Sequence, residues 1–155
     1  IDDSDNSKKH FNELEKVAKD IGSSIIPASI KIEQEISLLQ DDEKLEYLEL
    51  LDMDEPVLNK IIFEGYKMLG LKTFFTAGPK EIRAWTIKEG FSAPNAAGVI
   101  HTDFERGFIK AEVIDFDDFI KCNGELGAKE KGKLRLEGKD YLVEDGDVIH
   151  FKFNV

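Results

Sequence analysis

A change of hydrophobic period near Gly70 constrains the fold of this chain more than any other feature. Before it, apolar residues such as Val57, Ile61 and Ile62 recur at the spacing of a helix face. From Lys72 onward, apolar and polar residues alternate as they do in half-buried strands. Helices followed by strands are typical of an α+β protein. We therefore predict two domains, residues 1–69 and 70–155.

The first of these domains is predicted to be helical with one short strand. Residues 25–28 (Ile-Ile-Pro-Ala) are too short for a helix and predict a buried strand that ends at its proline. Helical spacing recurs on both sides, in Leu14, Val17 and Ile21 before the strand and in Leu45 and Leu48 after it. The order of helix, strand, loop and helix is typical of the end of an α/β domain.

The second domain is predicted to contain a hairpin, a short helix and further strands. Residues 72–77 and 81–88 form the hairpin, and Ser92 precedes the helix with Pro94 in its first turn. Further strands are predicted at residues 108–115, 133–137, 141–143 and 148–154. This order is that of the ubiquitin-like β-grasp fold.

Charge and composition exclude several classes of protein. The net charge is −11, with eight basic and seventeen acidic residues in 1–70 against thirteen and fifteen in 71–155. A strongly acidic first part would be repelled by nucleic acid, so only the second part is a candidate for RNA contact. No apolar run reaches the roughly 20 residues of a membrane span. A lone Cys122 forms no internal disulfide, and a cytoplasmic location is expected.

Catalytic and metal-binding patterns are missing from the sequence. There is no Gly-x-x-x-x-Gly-Lys-Ser/Thr phosphate loop, and no nucleophile stands with a matching base. His10, His101 and His150 are far apart and have no cysteines beside them, so they do not form a zinc pattern. We expect no catalytic residue, no metal and no cofactor in this chain. Because residue 1 is isoleucine, we expect the chain to be a piece of a longer polypeptide.

The densest run of positive charge is the candidate surface for RNA or another partner. It consists of Lys129, Lys131, Lys133, Arg135 and Lys139, and alternation would place Lys133 and Arg135 on one face of a strand. Such a face can contact rRNA or tRNA phosphates. Lys80 and Arg83 in the hairpin are further candidates. The alternative interpretation is a solvated strand edge that discourages aggregation.

Aromatic side chains of the hairpin raise a related question. Phe74 and Phe75 must point to opposite faces of one strand, and Trp85 lies on the next. Packing in the core or at a domain interface is favoured over stacking on RNA bases.

Several longer motifs resemble the C-terminal part of the Obg-like ATPases, the YchF family of P-loop nucleotidases. The similarity covers essentially all of residues 70–155 and, more loosely, residues 20–69. The motifs are Phe75-Thr-Ala-Gly78, Arg83-Ala-Trp-Thr86, Ala97-Gly-Val-Ile-His-Thr-Asp-Phe-Glu105, Gly107-Phe-Ile109, Leu136-Glu-Gly-Lys-Asp-Tyr141 and Asp145-Gly-Asp147. The resemblance implies a TGS domain of β-grasp fold, preceded by the end of a nucleotide-binding domain.

The same resemblance implies a site in the loop that follows residues 25–28. In P-loop nucleotidases a short loop after a buried strand presents backbone N–H groups to the nucleotide base. Ala28, Ser29 and Ile30 stand at this position, although Ile30 is bulkier than is usual there. The alternative is an ordinary turn in which Ser29 caps the next helix.

Three hypotheses follow for function. The resemblance implies a parent that binds and hydrolyses ATP or GTP with Mg²⁺ and associates with ribosomes. In the first hypothesis this chain is its non-hydrolytic C-terminal piece, whose TGS domain docks on RNA, the ribosome or a protein. The second is a ubiquitin-like protein-interaction module without RNA binding. The third, an independent enzyme, is disfavoured because no catalytic constellation is present.

Overall fold

The computed structural model describes residues 5–78 and 81–154 of the 155. Contacts between Cα atoms divide the chain into two compact units, Ile1–Gly65 and Tyr66–Val155. The division falls within a helix, a few residues before the boundary expected at 69/70, which stays a prediction.

The first unit is helical. Its helices are α1 (Asp5–Asp20), α2 (Ile30–Ser37), α3 (Asp41–Leu50) and α4 (Val57–Met68), the last of which continues past the division. Helix α3 begins at Gln40 with a capping box, in which the Glu43 carboxylate accepts a hydrogen bond from the Gln40 N–H at 3.0 Å. Acidic residues fill its first turn, where the helix dipole favours negative charge.

Two predictions for this unit are wrong. Residues 25–28 form no strand, because no other strand in the described part of the unit is available to pair with them. The predicted apolar faces are also largely exposed, with Leu14, Val17, Ile21 and Leu45 each more than half accessible. Each helix instead buries a single apolar residue among those described, namely Ala18, Ile36, Leu48 and Val57.

The second unit is built on a mixed five-stranded sheet. The strands are β1 (Leu71–Ala77), β2 (Ile82–Lys88), β3 (Phe108–Ile114), β4 (Arg135–Glu137) and β5 (Val148–Phe153), in the order β2-β1-β5-β3-β4. Strands β1 and β5 are parallel and the other neighbours are antiparallel. The helices are α5 (Ala93–Ile100), α6 (Thr102–Arg106), α7 (Phe116–Lys121) and α8 (Glu125–Glu130). The α+β class expected from the sequence is confirmed.

Alternation along the strands gives this sheet two differently packed faces. Phe74, Val113 and Phe151 belong to the main core, which α5 covers with Ala93, Ala96 and Ala97. On the opposite face, Ile114 packs with Cys122 of the α7 end and Ala128 of α8 in a second cluster. The sheet is therefore sandwiched between α5 and the α7–α8 pair.

The end of α8 explains why β4 is shorter than predicted. Gly132 has a φ of 68°, and its N–H donates a hydrogen bond to the carbonyl of Lys129. The N–H of Lys133 donates one to the carbonyl of Ala128 at 2.8 Å. These bonds form a Schellman motif, which uses the backbone of Lys133 to close the helix. The predicted strand start at Lys133 is therefore wrong.

The strand predicted at residues 141–143 is also wrong. That segment makes one isolated bridge, between Leu142 and Ser92. Among the helices described, none combines the length and apolar character needed to cross a bilayer.

Candidate functional site

The predicted nucleotide loop borders an open recess in the first unit. The recess has a volume of about 320 Å³ and is lined by Ile26, Pro27, Ala28, Ser29, Ile32, Glu33, Met53, Val57 and Lys60. Two of the three predicted residues, Ala28 and Ser29, lie on its wall. Ile30 does not line it and is 76% exposed. The Ser29 hydroxyl accepts a hydrogen bond from the Ile32 N–H at 3.5 Å, so Ser29 is also the N-cap of α2.

Glu33 ties this loop to the start of α4. Its carboxylate accepts hydrogen bonds from the N–H groups of Val57, at 2.9 Å, and Leu58, at 3.3 Å. A carboxylate is favoured there because the first N–H groups of a helix have no partners within the helix. Two residues further along α2, Glu35 accepts a hydrogen bond from the Tyr47 hydroxyl of α3, which raises the pKa of Tyr47.

The cationic run divides into paired and unpaired residues. Lys133 Nζ lies 3.2 Å from the Asp118 carboxylate of α7, and Arg135 lies against Asp147 and Glu137. Lys129, Lys131 and Lys139 are exposed, and none makes an ion pair with any residue in the described ranges 5–78 and 81–154. The three unpaired lysines can offer their full charge to a partner, whereas Lys133 and Arg135 are partly neutralised.

Asp147 is a buried carboxylate at the centre of a polar cluster that holds Arg135. The carboxylate is 3% exposed and accepts hydrogen bonds from the Tyr141 hydroxyl at 2.7 Å, the Glu144 N–H at 3.0 Å and Arg135 at 3.2 Å. Burial raises the pKa of Asp147, while the hydrogen bonds from Tyr141 and Glu144 and the charge of Arg135 oppose the rise. Burial and the bond to Asp147 raise the pKa of Tyr141, which keeps its proton available for donation.

Arg83 and Trp85 form a stack on β2. The guanidinium of Arg83 lies 4.1 Å from the centre of the Trp85 ring, and the ring of Phe74 is stacked on the same tryptophan at 6.5 Å. The Trp85 indole donates a hydrogen bond to the Thr76 hydroxyl at 2.9 Å. The tryptophan therefore packs against the core as expected, with the Arg83 guanidinium over its ring. Lys80 lies outside the described residues.

One segment has the glycine and lysine spacing of a phosphate loop without its structure. Gly127 and Gly132-Lys133 are separated as in that motif, but Leu134 replaces the Ser or Thr. A phosphate loop joins a strand to the start of a helix, whereas this segment is the helix α8 and its C-terminal cap. The segment therefore does not have the structure of a phosphate loop.

A cluster of three potential metal ligands lies on the α7–α8 face of the sheet. Glu112 of β3 and His150 of β5 are direct cross-strand neighbours, and Glu125 begins α8 beside them. Their ligand atoms all lie within 4.8 Å of one another. No local pattern indicates this cluster, because its members are separated by 13 and 25 positions in the sequence. The pairing register of β3 and β5 brings Glu112 beside His150, and the packing of α8 on the sheet adds Glu125.

Comparison with known proteins places these features in a family. The sequence model YchF-GTPase_C, described as a protein of unknown function (DUF933), matches residues 71–154. The chain is 58% identical over 146 residues to the ribosome-binding ATPase YchF of Pasteurella multocida, covering 94% of this chain and 40% of that protein. It is 55% identical over 135 residues to Obg-like ATPase 1 of Xenopus laevis, covering 87% of this chain and 34% of that protein.

Two solved structures are also similar to this chain. The YchF GTPase of Schizosaccharomyces pombe superposes with a TM-score of 0.77 and 36% identity, over 92% of this chain and 38% of that one. A GTP-binding protein from Pyrococcus horikoshii, at 17% identity and a TM-score of 0.63 over 98% of this chain and 43% of that one, shares the fold. The chain spans about 40% of the length of the relatives it matches.

Proposed function

The chain belongs to the YchF-GTPase C-terminal family, and we propose on that premise that its second unit is a TGS domain that docks on the ribosome. Three features support the β-grasp assignment: the strand order β2-β1-β5-β3-β4, the parallel pairing of β1 with β5, and helix α5 packed across one face. Several relatives are named ribosome-binding ATPases, and a ribosomal partner implies a cytoplasmic location.

The observation that carries the docking proposal is the unpaired charge of Lys129, Lys131 and Lys139. Ribosomal RNA presents a dense array of phosphates, and binding to it grows with each cation that neutralises one. The three lysines are exposed and project from α8, its C-terminal turn and the loop after β4. Arg83 adds a fourth exposed cation on the other edge strand. We propose tRNA as a weaker alternative partner of the same surface.

Reversing two of these charges tests the surface directly. We expect Lys129→Glu with Lys131→Glu to weaken co-sedimentation with purified ribosomes by about tenfold at low salt, since two attractive contacts become repulsive. Wild-type binding should fall steeply as salt rises, and the double variant should show a shallower dependence. The measurement is the fraction of chain pelleted with ribosomes across a salt series.

The matched control reverses two lysines of the first unit, Lys9→Glu with Lys16→Glu, which makes the same change in net charge on α1. It should leave binding unchanged. Equal losses in both double variants would reject a local surface. Salt-independent binding that neither pair affects would favour the protein-interaction alternative.

We further propose that the intact parent is a nucleoside triphosphatase using ATP or GTP with Mg²⁺, and that this chain alone is inactive. Ala28, Ser29 and Ile30 would contribute only a base contact in the parent. We expect the purified chain to release no phosphate from ATP above the buffer blank, because it lacks a phosphate loop. An intact YchF relative assayed alongside provides the positive control. Turnover that rises in proportion to chain concentration and survives a second purification step would contradict the prediction.

A further inference from the structure

We propose that Glu112, Glu125 and His150 form a binding site for one divalent transition-metal ion, Zn²⁺ being the best match. The two carboxylates and the imidazole come from β3, α8 and β5, and their ligand atoms lie within 4.8 Å of one another. The proposal is independent of ribosome docking, and a failure of either leaves the other intact.

The cluster surrounds a recess of the right size. A small pocket with a volume of about 10 Å³, room for one water-sized occupant, is lined by all three ligands. Its remaining walls are largely apolar: Ala77, Ile114, Phe119, Leu134, Val148 and Ile149. Apolar walls lower the local dielectric constant and so strengthen the attraction between a cation and the two carboxylates.

The donor set selects the class of ion. An imidazole with two carboxylates is a three-ligand set of the kind that binds Zn²⁺, with a fourth position left for water. Mg²⁺ and Ca²⁺ prefer oxygen ligands alone, so the imidazole disfavours them. Bonds of 2.0–2.2 Å in a tetrahedral site separate neighbouring ligand atoms by about 3.4 Å. His150 is exposed and Glu125 is half-buried, so rotation of these two side chains can close the remaining gap.

Lys152 supplies a competing positive charge. Its Nζ lies 3.3 Å from a carboxylate oxygen of Glu112 and 3.5 Å from each ring nitrogen of His150. The ammonium therefore balances part of the negative charge of the cluster, and a metal ion must displace it. This competition predicts that the site binds metal more tightly when Lys152 is removed.

The test is a Co²⁺ titration of the 155-residue chain, followed by visible absorption and calorimetry, with Zn²⁺ competition at the end. We expect one high-affinity Co²⁺ per chain, with absorption of the intensity typical of four-coordinate Co²⁺. His150→Ala and Glu125→Gln should each weaken binding at least tenfold. His10→Ala is the matched control, because His10 also lies beside a carboxylate, that of Glu13 at 3.8 Å, and its loss should change nothing.

Lys152→Met distinguishes a metal site built from all three side chains from weak binding by a single surface histidine. We expect this variant to bind Co²⁺ several-fold more tightly than the unaltered chain. Unchanged affinity in His150→Ala, an equal loss in His10→Ala, or weaker binding in Lys152→Met would each overturn the proposal. Circular dichroism of each variant without metal establishes that a loss of binding is not a loss of fold.

Discussion

Replacing Asp147 by alanine is expected to destabilise the second unit by about 3 kcal/mol, because the change leaves the Tyr141 hydroxyl and the Glu144 N–H without their acceptor. The carboxylate accepts hydrogen bonds from Tyr141, Glu144 and Arg135, and its own backbone carbonyl accepts one from the Phe75 N–H at 2.8 Å. Alanine keeps the backbone bond and loses the other three.

Two features make this loss larger than that of an ordinary ion pair. Asp147 is 3% exposed, so its hydrogen bonds form in a low-dielectric environment where they are stronger than at the surface. Tyr141 also packs against the main core, which means that movement of its ring to reach water would disturb the apolar contacts there. Surface ion pairs, in contrast, contribute about 0–1 kcal/mol.

Urea unfolding followed by the fluorescence of Trp85 measures the effect, since this is the single tryptophan and it packs against the same core. Asp140→Ala is the control: it removes an exposed carboxylate from the same loop and should change the free energy of unfolding by less than about 0.5 kcal/mol. Asp147→Asn should fall between the two, because its amide oxygen still accepts hydrogen bonds. Equal midpoints for Asp147→Ala and Asp140→Ala would show that the cluster contributes nothing to stability.

The same cluster limits what charge reversal at Arg135 can reveal. A glutamate there would face the buried Asp147 carboxylate and unsettle β4, so a loss of ribosome binding would have two explanations. Lys129 and Lys131 lack this ambiguity, because neither makes an ion pair within the described ranges. Substitutions at Lys129 and Lys131 therefore test the docking surface more directly than substitutions at Arg135.

The sheet was largely predictable because alternation is a local property. Strands β1, β2, β3 and β5 lie within two residues of their predicted ends. The strand predictions that failed did so because pairing is a long-range property or because a helix end intervened. Lys133 continues the alternating pattern, but its backbone N–H is used in the Schellman motif that ends α8. Residues 25–28 have strand composition, yet a strand exists only where a neighbour pairs with it.

The candidate sites likewise divide into features that local sequence predicts and features that depend on tertiary contacts. Exposure of Lys129, Lys131 and Lys139 follows from their charge alone. The inward contact of Arg135 with Asp147 depends on the path of the loop between β4 and β5, which no spacing in the sequence reveals. The cluster of Glu112, Glu125 and His150 likewise depends on strand register. Local chemistry was visible in the sequence, whereas tertiary pairing was not.

Replacing Gly127 by alanine is expected to destabilise the second unit by about 2 kcal/mol through a backbone collision. A Cβ on Gly127 would overlap the carbonyl oxygen of Cys122 and lie 3.0 Å from its carbonyl carbon. Neither atom can move easily, since Cys122 ends α7 and belongs to the second cluster with Ile114 and Ala128. Overpacking of this kind costs about 1–3 kcal/mol, and here it opposes the gain of about 1 kcal/mol that alanine brings to a helix.

Gly138→Ala is the matched control, because a Cβ there meets no heavy atom within 4 Å and the residue keeps an ordinary φ. That variant should be neutral or stabilised by up to about 1 kcal/mol, since alanine restricts the unfolded chain. Urea midpoints from Trp85 fluorescence compare the two. A Gly127→Ala variant as stable as Gly138→Ala would mean that α7 and α8 are not packed as closely as the contact with Cys122 requires. The packing of the second cluster and the position of Glu125 over the sheet would then differ from those described.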